Sequence, residues 1–259
     1  MQLVFSKYQG TGNDFILLNN LDGIYDKLEE KNIRFLCDRK FGIGADGLIR
    51  VNSHAAFPFE MEFFNPDGSK SFCGNGARCT VAFAGELGFD VSDIEFMAID
   101  GVHRAFRNGD LVTIEMNDVN GVARDGEDYV LNTGSPHFIH FEKEEEKNDI
   151  LDYGKQIRYS PAYRAEGINV NLVELTAPFA LQVRTYERGV ENETFSCGTG
   201  VTACALAASM VNDYHGFQTF SIATRGGDLS VAFSRMDATF TQISLTGPAV
   251  QVFNGVVNV

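Results

Sequence analysis

The 259-residue sequence has no apolar run approaching the length needed to cross a bilayer, which argues against a membrane-spanning protein. Its opening, MQLVFSKYQGTGNDF, lacks a basic start followed by a long apolar stretch, so no signal peptide is expected and a cytoplasmic location is. Positive charge is in short supply: 21 Lys and Arg against 35 Asp and Glu leave a net −14, which argues against nucleic acid, whose affinity rests on cations neutralising phosphates. Cysteine is scarce. Cys37, Cys73, Cys79, Cys197 and Cys204 are odd in number, scattered, and form no CxxC pair or Cys/His cluster, so they read as reduced thiols rather than a disulfide frame or a zinc site. There is no Walker A loop, and FGIGADG and QGTGNDF are not dinucleotide fingerprints in a βαβ setting, so no cofactor is expected. At 44% hydrophobic and 22% charged residues, the chain has the make-up of one large globular domain or two modest ones.

What is present is repetition. TGNDFI (11–16) resembles TGSPHFI (133–139), Phe64-Asn65 resembles Tyr186-Glu187, and CGNG from Cys73 resembles CGTG from Cys197. FMAIDGVHRAF (96–106) resembles SIATRGGDLSVAF (221–233), and VTIEMNDV (112–119) resembles ISLTGPAV (243–250). Aligning Phe15 with Phe138, Cys73 with Cys197 and Ile99 with Thr224 gives offsets of 123, 124 and 125. Matches in one order at a nearly constant offset indicate two similar halves. In each, short alternating segments such as LVFSKY, FILLNN, FEMEFF and LVTIEM read as strands. ARCTVAFAGEL (77–87) and VTACALAASMV (201–211) read as helices apolar on most faces, hence buried. The expected fold is therefore α+β: two pseudo-symmetric halves, each a curled, mostly antiparallel sheet around a central helix, with the active site in the cleft between them. The expected boundaries are 1–117, completed by a returning strand at 248–259, and 118–247. The acidic run Glu142 to Asp149 reads as a solvated surface turn.

Each Cys-Gly-x-Gly follows a strand and opens a helix. The first turn of a helix carries outward N–H groups and partial positive charge, glycine lets an anion approach that backbone, and the same place favours a thiolate. A lone buried cysteine is best read as packing, which suits Cys79, Cys204 and Cys37. Two matched cysteines at two helix mouths point further. One thiolate can remove a proton from a carbon while the opposite thiol delivers one to the other face, and the helix ends can hold the neighbouring carboxylate and its enolate-like charge.

At these residues the sequence resembles the diaminopimelate epimerases, through GTGNDF (10–15), DRKFGIGADG (38–47), FFNPDGSKSFCGNGARC (63–79), TGSPHF (133–138), INVNLVEL (168–175) and YERGVENETFSCGTG (186–200). The resemblance implies cofactor-independent interconversion of LL- and meso-diaminopimelate, a late step toward lysine and, in many bacteria, peptidoglycan. It implies that Cys73 and Cys197 are the acid/base pair. Gly74 and Asn75, with Gly198 and Thr199, match the backbone donors to the reacting carboxylate. Asn13, Asn65, Asn169 and Arg188 match groups that hold the distal amino-acid end, and Glu187 and His137 match residues that touch substrate and tune the thiols. Ser135 stands where many members have Asn and is kept as a substrate contact, and Gly47 stands where some have Gln. Taken singly, Asn65 before Pro-Asp-Gly reads as a turn residue, and His137 as a satisfied core histidine.

The implied partner is a small amino-acid substrate, with no nucleic acid, no membrane and no metal, in a homodimer. The nearest alternative is a proline or hydroxyproline racemase, which needs no arginine for a second charged end; YERG at 186–189 favours diaminopimelate. An isomerase of the same fold without paired thiols is disfavoured by Cys73 and Cys197. A thiol redox switch joining those two cysteines, and a binding protein that exchanges no proton, complete the alternatives.

Overall fold

The structure is a computed structural model and describes residues 1–143 and 147–259. Contacts divide the chain into two compact units, Met1–Ile114 with Gly247–Val259, and Glu115–Thr246. The first contains β1 (Gln2–Gly10), β2 (Asn13–Asn20), α1 (Glu30–Cys37), β3 (Gly47–Asn52), β4 (Glu60–Phe64), α2 (Gly74–Glu86), β5 (Ile94–Ala98), β6 (Gly101–Asn108) and β7 (Leu111–Glu115, its last residue across the boundary). The second contains β8 (Val119–Asn120), β9 (Ala123–Asp125), β10 (Asp128–Asn132), β11 (Pro136–Phe141), α3 (Ile150–Arg158), β12 (Asn169–Ala177), β13 (Ala180–Glu187), β14 (Asn192–Thr194), α4 (Gly198–Val211), β15 (Gly216–Thr224), β16 (Gly227–Met236) and β17 (Thr239–Pro248, its last two residues across the boundary). The last strand, β18 (Val250–Asn258), pairs antiparallel with β1.

The units share one pairing plan. In the first, β1·β2 is antiparallel, β2·β3 parallel, β3·β4 antiparallel, β4·β5 parallel, and β5·β6 and β6·β7 antiparallel. In the second, β10·β11, β11·β12, β12·β13, β13·β15, β15·β16 and β16·β17 repeat those directions in the same order. The outer neighbour of β1 is β18, and that of β10 is β9.

The register corrects the sequence alignment by one residue. Phe15 pairs with Gly47, and His137 with Asn169, so the repeat here runs at 122 rather than 123. The counterpart of Phe15 is therefore His137 and not Phe138. The faces agree: Phe15 packs in the cluster around α2, whereas Phe138 packs in the separate cluster under α3. A one-residue slip sends every side chain to the opposite face, so the sheet cannot tolerate the looser alignment. Farther on, Gly101 and Gly227 occupy equivalent hairpin turns with φ of 130° and 132°, which moves the offset there from 125 to 126.

The central helices are buried nearly all round. In α4, 11 of 14 residues are buried, among them Val201, Leu206 and four alanines, and they pack against Phe220, Phe233 and Leu245. Truncating one such leucine removes about 2–5 kcal/mol. The sequence reading did not anticipate α1 and α3. These short amphipathic helices cover the other face of each sheet, α1 through Ile33 and Leu36 and α3 through Ile150 and Gly154. Each sheet is thus a middle layer between a central and an outer helix. The middle of the acidic run, residues 144–146, lies outside the described residues. Its end is more than a solvated turn: Asp149 caps α3, accepting from Leu151 N and Asp152 N at 2.8 and 3.2 Å. Among the described residues, no helix is long and apolar enough to cross a membrane.

Candidate active site

In the first unit the loop after β4 delivers Cys73 to the N-cap of α2 in extended conformation, φ −137° and ψ 114°. Ala77 N then donates to Cys73 O at 2.8 Å, closing the first helical turn. The opening N–H groups of a helix point out of its end with partial positive charge, and here they come from Gly74, Asn75 and Gly76. Among the described residues, no atom beyond its chain neighbours and its own helix backbone lies within 4 Å of the place a Cβ on Gly74 would take, so the backbone there is approachable.

Asn13, at the start of β2, reaches this mouth. Its Oδ1 lies 3.7 Å from Cys73 Sγ and accepts from Asn75 Nδ2 at 3.2 Å. Its Nδ2 donates to Asp46 Oδ2 at 2.8 Å. Asp46 in turn belongs to a charge network in which Arg39 bridges Asp14 and Asp46, and buried Lys7 meets Asp14 at 2.8 Å. Burial alone would raise the Asp14 carboxyl, but hydrogen bonds from Arg39 and Lys7 hold it down at about 2. Beneath the mouth lies the fully buried Arg78, whose Nη2 donates to Thr11 Oγ1 at 3.2 Å.

Two further positions of this unit are engaged by their own neighbours. Asn65 Nδ2 donates to Ser69 O, Ser69 Oγ and Ser71 Oγ at 3.1–3.2 Å, which is the behaviour of a turn residue. At Gly47 a Cβ would lie 2.2 Å from Phe63 Cε2, so the aromatic ring already fills the space a side chain would need.

The second unit repeats the mouth with different furniture. Cys197 is the N-cap of α4, φ −126° and ψ 111°, and Val201 N donates to its carbonyl at 2.9 Å. Cys197 Sγ lies 3.5 Å from Thr199 Oγ1, which lies 2.8 Å from His137 Nε2. His137 Nδ1 accepts from Asn171 Nδ2 at 3.2 Å. Burial, aided by the charge of Arg188, lowers the imidazole from 6.5 to about 3, so His137 is neutral. A Cβ on Gly200 would lie 2.8 Å from Asn171 Oδ1 and 3.3 Å from Cys197 Sγ, so only glycine lets α4 pass this close.

Beside this mouth, Ser135, Asn169 and Arg188 form one cluster. Asn169 Nδ2 donates to Ser135 Oγ at 2.9 Å, Asn169 Oδ1 accepts from Arg188 N at 2.9 Å, and Arg188 Nη2 lies 3.4 Å from Ser135 Oγ. Glu187 ends β13 next to them, half-buried. The structure therefore groups Asn13, Cys73, Gly74 and Asn75 at one mouth, and His137, Cys197, Gly198 and Thr199 at the other with Ser135, Asn169 and Arg188 alongside.

The remaining thiols are packing residues. Burial pushes Cys37 and Cys79 up to about 12 and Cys204 well above the usual thiol range, which keeps all three protonated. The sequence reading passed over Asp46, Arg78, Asn171 and the Thr199 side chain. A signal for one of them was present. Asn169 and Asn171 lie two apart in INVNLVEL, hence on one face of a strand. The repeated Thr-Gly marks Thr11 and Thr133, which tie the two turns down: Thr11 to Arg78, and Thr133 by donating to Thr199 O at 2.8 Å.

A family model described as diaminopimelate epimerase matches residues 5–122 and 129–252. The diaminopimelate epimerase of Flavobacterium psychrophilum is 45% identical over 249 residues, 95% of this chain and 97% of that one. Among solved structures, a phenazine biosynthesis protein of the PhzF family from Bacillus anthracis aligns at a TM-score of 0.75 and 14% identity over 100% of both chains. A hydroxyproline epimerase from Agrobacterium vitis, with bound trans-4-hydroxy-L-proline, aligns at 0.69 and 13% identity over 99% of this chain and 92% of that one. At such identities the two structures speak for the α+β fold alone.

Proposed function

The chain belongs to the diaminopimelate epimerase family, and from that premise we propose that it interconverts LL- and meso-diaminopimelate in lysine and peptidoglycan precursor synthesis, with Cys73 and Cys197 as a two-thiol acid/base pair and no cofactor. The observation that carries the reading is the matched pair of helix mouths, each a strand, a cysteine N-cap and a Gly-x-Gly first turn. The mechanism requires the two sulfurs to meet one α-carbon from opposite faces. One thiolate takes the α-proton, and the C–H electron pair passes into the adjoining carboxylate. The other thiol gives its proton to the opposite face and inverts the centre. The N–H groups of Gly74, Asn75, Gly198 and Thr199 are aimed to stabilise that developing charge, which such donors do most strongly away from water.

Diaminopimelate has an ammonium and a carboxylate at each end. Under this proposal Arg188 takes the distal carboxylate as a bidentate fork, and Asn13, Asn169, Ser135 and Glu187 complete the polar set. Polar groups left unpaired by a shorter substrate would reject it. Asn65 enters only by leaving its present bonds within the 65–71 loop. The reading carries with it a cytoplasmic homodimer, which sedimentation of the purified protein would test.

The experiment is proton NMR of LL-diaminopimelate in D₂O with reduced protein, with L-proline and hydroxyproline in parallel. The expected result is loss of the α-proton signal and appearance of the meso isomer. Exchange with a proline compound alone would keep the thiols and overturn the substrate. Silence with all three would return the chain to a binding or redox role.

A further inference from the structure

The hydrogen bonds around each mouth differ in the partner they turn toward the sulfur. At the first mouth, the Asp46 carboxylate can only accept, so the Asn13 amide must turn its nitrogen there, at 2.8 Å. That leaves Asn13 Oδ1 facing Cys73 Sγ at 3.7 Å, and an amide oxygen can only accept. The sulfur that suits this place is a donor, S–H.

At the second mouth the polarity is opposite. The Phe138 carbonyl can only accept, so Asn171 turns its Nδ2 there, at 3.0 Å, and the same Nδ2 reaches His137 Nδ1 at 3.2 Å. Thr185 Oγ1 donates to the other end of that amide, Asn171 Oδ1, at 2.9 Å. Since Nδ1 accepts and the ring is neutral, the proton of His137 is on Nε2 and is donated to Thr199 Oγ1 at 2.8 Å. A hydroxyl has one proton to give. With His137 donating to its oxygen, Thr199 has its own proton to offer Cys197 Sγ, which lies 3.5 Å away. The sulfur that suits this place is an acceptor, S⁻. Asn171, His137 and Thr185 are all almost completely buried, which keeps water from reversing the chain.

We infer that the resting enzyme holds Cys197 as the thiolate and Cys73 as the thiol, with Thr199 the catalytic hydroxyl that keeps the charge on Cys197 and with His137 and Asn171 as its positioning residues. The inference rests on the acid/base reading of the two cysteines. In the first turnover Cys197 S⁻ forms a new S–H bond with the α-proton, and the broken C–H bond leaves its electron pair on the substrate. Cys73 S–H then breaks to form the new C–H bond. The product leaves Cys197 protonated and Cys73 charged, and one proton must return from Cys197 to Cys73 through solvent before the enzyme is reset.

Other charged or titratable groups border these sulfurs. Near Cys197 they are His137 on β11, Arg188 acting on that imidazole from the end of β13, where Glu187 precedes it, and Cys204 on α4. Near Cys73 they are Arg78 and Cys79 on α2, Asp46 behind Asn13, and His103 on β6, stacked at 4.1 Å on the adjoining Phe72. Arg78 acts against the assignment, because a buried cation favours a nearby thiolate.

The test is the pH dependence of alkylation of each thiol in the substrate-free, reduced protein, read by peptide mass spectrometry with limiting iodoacetamide. Following each thiol over pH separates ionisation from access, which differs between half-buried Cys73 and buried Cys197. Cys197 should reach its full labelling rate at lower pH than Cys73. Thr199→Val should slow Cys197 labelling roughly tenfold below its midpoint, the scale of a hydrogen bond to a charged group, while sparing Cys73; Thr199→Ser should restore it. A lower midpoint for Cys73 in the wild type would overturn the assignment and show that Arg78 prevails. An unmoved Cys197 midpoint in Thr199→Val would remove Thr199 from the role. Failure of the epimerase reading shows separately, as absent α-proton exchange with the labelling order still readable.

Discussion

At the first helix mouth the cysteine faces an amide oxygen oriented by a carboxylate; at the second it faces a hydroxyl oriented by an imidazole. The backbone plan is the same in both, down to the directions of six strand pairings. Repetition thus supplies two equivalent places for a thiol, and divergence makes their surroundings unequal. The difference extends to the neighbouring positions. Asn13 corresponds to Ser135, Gly47 to Asn169 and Asn65 to Glu187, while Arg188 matches Pro66. The cluster of Ser135, Asn169 and Arg188 therefore has no equivalent in the first unit, where Phe63 fills the space beside Gly47. Under the proposed function, the arginine that reads the far carboxylate of a substrate with two similar ends comes from the second unit.

The hardest way to break this comparison is to remove either sulfur. Cys73→Ala and Cys197→Ala should each lose about 10²–10⁴-fold or more in turnover with the fold retained by circular dichroism, the range of a lost acid or base. Substantial inversion by either variant would sink the two-thiol proposal. The next effect separates matched glycines. Gly200→Ala forces a methyl against Asn171 and Cys197 and should destabilise the protein by about 1–3 kcal/mol in urea melts. Gly74→Ala points into open space and should leave stability nearly unchanged while weakening substrate binding. Equal melts for the pair would contradict the assigned packing.

Arg188→Lys should lower kcat/KM for diaminopimelate roughly tenfold, because a planar fork becomes a point charge. Unchanged kinetics would remove Arg188 from the site. The smallest effect is on pH. His137 titrates at about 3 when folded and 6.5 when free, so the unfolded chain binds its proton first. Its contribution is intact above pH 6.5 and is lost as pH falls toward 3. Asp14, held at about 2 against 3.8 when free, contributes above pH 3.8 and loses that contribution as pH falls toward 2. His137→Gln should flatten stability between pH 6.5 and 4, and Asp14→Asn should flatten it only below about 4. A slope unchanged in both variants would show that these groups do not carry the acid sensitivity.

Much of this was legible in the sequence because both signals are local. A cysteine followed by Gly-x-Gly and an apolar run marks a buried helix with an exposed mouth, and α2 and α4 begin at Gly74 and Gly198. Register was not legible at single-residue accuracy, since TGNDFI and TGSPHFI can be aligned on Thr-Gly or on the phenylalanine; only strand pairing decides the face. The short helices α1 and α3 escaped notice because 8 or 9 residues carry too weak a pattern and are held by tertiary packing, such as Gly154 against Tyr186. The supporting groups Asp46 and Arg78 act through contacts between distant segments, which no spacing along the chain reveals.

The most direct test of the central claim is a crystal structure of the reduced protein with diaminopimelate, or a slow-reacting analogue, bound. The account predicts the Cys73 and Cys197 sulfurs on opposite faces of one α-carbon, each about 3–3.5 Å from it and roughly 6–7 Å from each other. Sulfurs on the same face, or either one far from that carbon, would contradict it.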